Sequence, residues 1–513
     1  MKKISRITRV SLMIAIFFAV DKALGILRQL VVGRQFGLSM ELDVFNAANN
    51  LPDMLFALIS GGALAMAFIP ILSAVLSTDG KDKAWQLFSR IANLAFIVTF
   101  AFSILIAIFA VPLVRSQVGI APGFTTEQQA LAVDLMRLNL ISTLVFSISG
   151  LIMAGLHANQ HFLLPALAPV LFDVGQIFGA IILAPEKGLR VLGMTLPAFG
   201  LGIKGLVYGA IIGAILHLLI QVPGLIKYQF KWSCQLKIKD PDVKKVLRMM
   251  GPRLVSMLFI QLIFLVQDNL ASRLASGAIS ALTYGWLIMQ VPETLIGTAI
   301  ATALLPTLSE KVANEQFTEL KDQILKTIRV MIAITIPISV ILGLGLLPLV
   351  QLAFNFTAEE TSLVMFTARA FLIGVAGHSL VELLVRSFYA RQNARIPMLT
   401  TAGTSLLFVI LAIILYKRLD AAGIALSNSI AFTLQAVVLM ILLGKNLGAN
   451  LSPGMTIIRA LLSGLLGGVV VWVLMNKLPL SLSEWIIAII AMAIGLLCAL
   501  IPIRRELREL VHL

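Results

Sequence analysis

Of the 513 residues, 59% are hydrophobic and only 13% are charged, where a soluble chain carries about 25% charged residues. Mean hydropathy is +0.98, and apolar runs near the ~20 residues of a membrane-crossing helix recur along the whole chain, which excludes a soluble enzyme and implies an all-α polytopic membrane protein. The formal charge of +15 then belongs to Lys and Arg gathered in cytoplasmic loops, not to a nucleic-acid surface.

About fourteen spans are predicted. The first, 8–32, is too long and too charged for a signal peptide and holds Asp21, Lys22 and Arg28, with Arg34 beyond its outer end. Seven residues bring a helix, at ~100° per residue, almost back to one face. Asp21 and Arg28 therefore share a stripe with Lys22 beside it. The second span, 44–76, has a polar face in which Asp43, Asn46, Asn49, Asn50 and Asp53 recur at helical spacing. A charge at the bilayer centre costs roughly 2.5–3.5 kcal/mol, so these groups are expected to face a hydrated, cation-bearing cavity that accepts an anionic substrate. Two plainer readings stand beside this one: Asp21–Lys22 and Arg28–Asp43 pair to hold the bundle, or Arg28 and Arg34 snorkel to the interface.

Spans 86–113, 128–156, 163–184 and 200–226 complete an expected first lobe, residues 1–228. Spans 246–275, 279–307, 323–350, 361–389, 396–416 and 421–443 form a second, 240–446, and spans 455–476 and 482–502 fall in 452–513. Within them, Asp134–Arg137 and Glu382–Arg386 have the spacing of internal salt bridges. His378 reads as a satisfied interior histidine, and Asp173, Arg253, Glu293 and Arg369 are further embedded polar groups. Gln267, Asp268 and Asn269 offer hard oxygen donors, which makes Asp268 and Asn269 candidates for Na⁺; no metal-ligand spacing occurs among the histidines. The distant Cys234 and Cys498 imply no disulfide framework.

Loop cations alternate in density, and an even number of spans with both termini cytoplasmic fits that bias. The chain also repeats itself. FIPILSAVLS (68–77) is echoed by LLPTLSEKVA (304–313), their prolines 236 apart, and HANQHFLLP (157–165) by YARQNARIP (389–397), their prolines 232 apart. KGLVYGAIIGAI (204–215) faintly matches AGIALSNSIAFT (422–433), with glycines 218 apart. A duplicated six-helix unit follows, in the parallel arrangement of several transporter folds. No GxxxxGK[ST] phosphate loop and no catalytic constellation occurs. The chemistry points to moving a molecule, not altering it.

The runs LGILRQLVVGRQFGLSMELDVFNAANNLPDMLFALISGGALAMAFIPIL (24–72), APGF (121–124), MGPRL (250–254), ASGAISALTYGWLIMQVPETLIGTAIATALLPTLS (275–309), FYARQNARIP (388–397) and GIALSNSIAF (423–432) resemble the MurJ/MviN family of lipid II flippases. The resemblance implies two six-helix lobes around a central cavity, plus two C-terminal helices forming a lipid-tail groove. It implies export of undecaprenyl-diphosphate-linked peptidoglycan precursor by alternating access in the bacterial plasma membrane. No cofactor is expected, and the charge on a diphosphate would let membrane potential drive export, with Na⁺/H⁺ as alternative coupling ions. Arg28 and Asp43 match the family's functional arginine and aspartate, and Lys22 stands where the family has another arginine. Phe56 and Leu287 replace cations, Gly61 replaces a glutamate, and Gln29 stands where an acid often follows the arginine. In this reading Arg28, Lys22 and Arg34 attract the diphosphate while Asp43 and Asp21 orient and partly neutralise them. Cell-wall synthesis proteins are conceivable partners. A flippase for another polyprenyl-linked glycan and a non-transporting scaffold for cell-wall enzymes are the alternatives; a cationic-drug exporter would want acids in place of Lys22 and Arg28.

Overall fold

The computed structural model describes residues 6–60, 62–188, 190–191, 194–477 and 482–511. Gly61 lies outside them. The chain forms two compact units, Met1–Gln261 and Leu262–Leu513.

The first unit begins with α1 (Arg6–Phe36) and α2 (Met40–Leu55). Ser39 caps α2 by accepting from the Leu42 N–H, and Glu41 and Asp43 lie in its first turn, where the positive end of the helix favours acids. Pro52 cannot donate a helical hydrogen bond, and four residues later the helix widens into a π turn, Phe56–Ser60, before α3 (Gly62–Thr78). Then come α4 (Lys81–Arg115), α5 (Thr126–Ala158) and α6 (Leu163–Phe178), the last ending in a second π turn, Gly179–Leu183. Thr125 and Gln128 close a capping box on α5. A two-residue hairpin, β1 (Arg190–Val191) and β2 (Met194–Thr195), leads to α7 (Lys204–Leu219) and α8 (Val222–Lys227). The aromatic centre of this unit is Phe68, Trp85 and Phe88, tied to the loop after α8 by Trp85 Nε1 donating to the Tyr228 carbonyl at 3.2 Å.

Glycines set the α6–α7 approach. A Cβ on Gly175 would lie 2.3 Å from the Cα of Gly213, and one on Gly209 would lie 2.6 Å from the Cα of Gly179. Only bare backbone permits this spacing, the small-residue packing that joins helices where the hydrophobic effect is weak.

Helix α9 (Pro241–Ala271) runs through the unit boundary. The second unit continues with α10 (Ala278–Pro292), a π turn at Glu293–Thr298, α11 (Ala299–Ala313), α12 (Phe317–Gly345) and α13 (Leu347–Phe354). Next are α14 (Ala358–Leu372) and α15 (Val375–Ala390), which meet at a 43° bend. Helix α16 (Arg395–Asn446) is broken at Asp420, whose φ is 48°. Finally α17 (Thr456–Lys477) and α18 (Glu484–Ala499) pack against α12 and each other, and α19 (Arg504–Val511) is pinned when Glu506 accepts from Thr456 at 3.0 Å and Arg459 at 2.9 Å. The proline-preceded π turns at Phe56 and Glu293 interrupt two spans that the sequence repeat pairs with each other.

Among the described residues nine helices are long and apolar enough to cross a membrane, ten with the bent α14–α15 pair. The count of fourteen is not confirmed by this measure. Part of the difference has physical causes: α18 has only 16 residues, and α16, broken at Asp420, counts once although it holds two apolar runs. Large apolar side chains stand outward on α4 (Phe102, Ile108, Phe109) and α17 (Leu465, Trp472), as hydrocarbon surroundings demand of a helical membrane protein.

Candidate anion site on the first helix

Arg28 of α1 is the centre of the site. Its Nη1 lies 3.2 Å from Asp173 Oδ1 of α6, with the two side chains 26% and 8% exposed. The same nitrogen donates to Gln176 Oε1, one turn further along α6. Six residues before Arg28, Lys22 Nζ sits 3.5 Å from Asp21 Oδ2, and these side chains are 60% and 19% exposed. The charges of Asp21 and Lys22 act on Asp173, and that of Arg28 acts on Asp53 of α2. Two cations are thus set among three carboxylates, with the Lys22 side chain exposed and that of Arg28 partly so.

Asp21, Lys22 and Arg28 are therefore brought into one cluster, as the helical spacing predicts. Asp43 is not part of the Arg28 pair. Its side chain is buried in the first turn of α2, and Arg28 turns instead to Asp173 because α1 packs on α6. Arg34 is exposed near the end of α1. The polar face of α2 is partly spent on structure: Asn139 of α5 donates to Asn49 Oδ1 at 2.8 Å, and Ser142 donates to Asn139 Oδ1 at 2.7 Å. The expected Asp134–Arg137 bridge does not form, because Arg137 Nε reaches the Ala107 carbonyl at 3.0 Å.

Phe56, where the resemblance implies a cation, is half-exposed and packs its ring 4.9 Å from Phe146, which touches Phe172 and His217 in turn. His217 Nδ1 lies 2.5 Å from Ser149 Oγ, and Gln221 Nε2 donates to Ser149 Oγ at 2.8 Å. An aromatic and polar column thus stands where the resembled family carries a cation.

In the second unit, Glu382 and Arg386 form the expected i,i+4 pair. His378 Nε2 is 2.8 Å from Asn428 Oδ1, and its ring stacks on Phe432. Asp268 is buried, but Asn269 Oδ1 accepts from Arg273 Nη2 at 3.2 Å, so a guanidinium occupies one of the oxygens suited to Na⁺. Glu293 accepts from Thr298 at 3.0 Å and Thr294 at 3.3 Å. Leu287 is half-buried beside Trp286, which sits among Phe264, Phe371 and His378. Among the described residues no group of three or more metal-ligating acids, histidines or cysteines occurs.

Sequence reasoning placed Asp173 among embedded charges without finding its partner, and it missed Gln176. The signal was there: Asp173 is the lone charge in the apolar run 163–184, and such a group in a membrane must find a counter-ion.

Units built of long apolar helices, with charged side chains held among them, define a polytopic membrane protein. The fold matches a solved structure described as lipid II flippase MurJ in an inward closed conformation, with TM-score 0.79 and 22% identity, covering 98% of this chain and 100% of that one. It also matches an inward-facing multidrug resistance MATE family transporter of the MOP superfamily, with TM-score 0.67 and 16% identity, over 83% of this chain and 94% of that one. The lipid II flippase MurJ of Burkholderia cenocepacia is 28% identical over 455 residues, 87% of this chain and 85% of its own length. The probable lipid II flippase MurJ of Haemophilus influenzae is 26% identical over 487 residues, 88% and 89% of the two chains. The family model described as "Lipid II flippase MurJ" matches residues 32–494, and the chain belongs to that family.

Proposed function

We infer that this chain is the lipid II flippase of a bacterial inner membrane, carrying the undecaprenyl-diphosphate-linked peptidoglycan precursor outward. The family match across residues 32–494 carries the reading. The α1 cluster supplies its chemistry. Lys22 offers a compact charge open to a headgroup, and the planar guanidinium of Arg28 is suited to two phosphate oxygens at once. Asp21 tempers Lys22 at 3.5 Å, while Asp43 and Arg34 contribute to the local field. The chain works by alternating access, with both termini cytoplasmic and the polyprenyl tail in lipid beside α17 and α18. Cell-wall synthesis enzymes are the proposed protein partners.

Two negative charges moving outward against an inside-negative potential of about 100 mV are favoured by roughly 4.6 kcal/mol, at ~2.3 per charge. Membrane potential could therefore drive export without ATP; coupling to H⁺, or to Na⁺ with Asp268 as a candidate ligand, would add to it. One observation favours a second reading, a different polyprenyl-linked glycan: Phe56 and Leu287 are apolar where cations are implied, and acids outnumber cations around Arg28. Complementation of a flippase-depleted strain separates the readings. Wild type restores growth and Arg28→Ala fails at normal expression. Rescue by Arg28→Ala contradicts the site, and failure of wild type favours the other glycan.

A further inference from the structure

We propose that Asp173 is a resident counter-ion which the substrate's phosphates displace from Arg28, so that it sets both how tightly the headgroup is held and how readily it leaves. The inference rests on the flippase reading and adds a positioning residue to its site.

The geometry leaves the pair room to exchange. A carboxylate that takes two parallel N–H···O bonds would occupy one whole edge of the guanidinium. Here Asp173 Oδ1 and Gln176 Oε1 both fall on the single nitrogen Nη1. Among the described residues nothing bonds to Nε or Nη2. Half of the guanidinium is therefore unspent, and the Arg28 side chain is 26% exposed although its partner is only 8% exposed. The carboxylate itself is fixed. Its second oxygen lies over α1 at Gly25, where an added Cβ would stand 3.5 Å from Oδ2, and the glycine contacts two residues on, at Gly175, hold α6 in place.

A diphosphate approaching the free edge of Arg28 competes with Asp173 for one charge, because two anions on one guanidinium repel each other. Binding is weaker than Arg28 alone would allow. After translocation Asp173 reclaims Nη1 and the headgroup is released. Gln176 offers the same nitrogen a neutral acceptor, which keeps the guanidinium oriented during the exchange. Lys22 and Asp21, whose charges act on Asp173, belong to the same electrostatic unit.

The test uses the full chain in nanodiscs for affinity toward undecaprenyl diphosphate, and in proteoliposomes for the turnover of lipid II. Asp173→Asn keeps the shape and removes the charge. The expected result is about tenfold tighter binding together with several-fold slower turnover at saturating substrate. The gain disappears in the Arg28→Ala background, a coupling that a double-mutant cycle reads directly. Asp173→Ser, smaller than the native side chain, carries the same expectation should the Asn variant not accumulate. Binding that is unchanged or weaker in the charge-removed variants, with a lowered melting temperature, assigns Asp173 to packing and overturns the proposal. Arg28→Ala binding as wild type instead removes the flippase site on which the proposal rests.

Discussion

At the scale of single residues, the proposed function turns on charges that are paired but still exposed. Lys22 and Arg28 each have a carboxylate neighbour, at 3.5 and 3.2 Å, yet neither is sealed from the surroundings. Lys22→Met should therefore lower lipid II turnover several-fold while leaving the melting temperature within about a degree, since an exposed ion pair contributes only ~0–1 kcal/mol. A large loss of stability with unchanged turnover would make it a structural pair. A second residue-scale prediction concerns the loop before α6. Burial, and secondarily the Lys227 charge, hold the His161 imidazole below its ordinary value of 6.5. The folded state favours neutral His161, so its contribution to stability is complete above pH 6.5 and is lost as the pH falls through the lowered value. Melting temperature should decline from pH 7 toward pH 5.5, and His161→Gln should flatten that decline; parallel slopes for the two proteins would assign the acid sensitivity elsewhere. Residue-level roles were the least legible in the sequence. Asp21, Lys22 and Arg28 declare themselves by spacing along one helix. The Arg28–Asp173 contact spans 145 positions of chain and depends on which face of α1 meets α6, which no local pattern encodes.

At the scale of elements, backbone approach places the site. Asp173 reaches Arg28 because α6 is held by α7 through Gly175, Gly179, Gly209 and Gly213, where added Cβ atoms would meet backbone at 2.3–2.6 Å. Gly209→Val is expected to destabilise the protein by about 1–3 kcal/mol, the usual cost of overpacking, and to reduce transport in parallel by moving α6. An unchanged melting temperature would show that the two helices tolerate separation. Gly209 and Gly213 fall in one arm of the internal repeat, 204–215, whereas Gly175 and Gly179 fall in none, and the packing role of all four appears only when the two helices are adjacent. The π turns at Phe56–Ser60 and Glu293–Thr298 were equally hidden. Hydropathy registers an apolar run through each, while the proline that loosens the helix leaves its mean value untouched. Helix starts were more legible, since Ser39 and the Thr125–Gln128 box are local in sequence and act locally in the structure.

At the scale of the whole molecule, composition and run length indicate the class: 13% charge places the chain in a membrane, and apolar runs of about 20 residues are the length of crossing helices, not of barrel strands. The number of crossings is harder to read, because α16 is broken at Asp420 and α14–α15 is bent. Each feature blurs the rule of one apolar run per span. The proposed function unites the residues and elements in a flippase whose cationic first helix would hold a lipid diphosphate. The most direct test is the rate of lipid II translocation by the purified chain in proteoliposomes under an imposed potential. The account predicts measurable flipping by wild type, accelerated when the potential favours outward movement of the anion, and background rates for the folded Lys22→Gln/Arg28→Gln double variant. Wild-type rates in that double variant would contradict it.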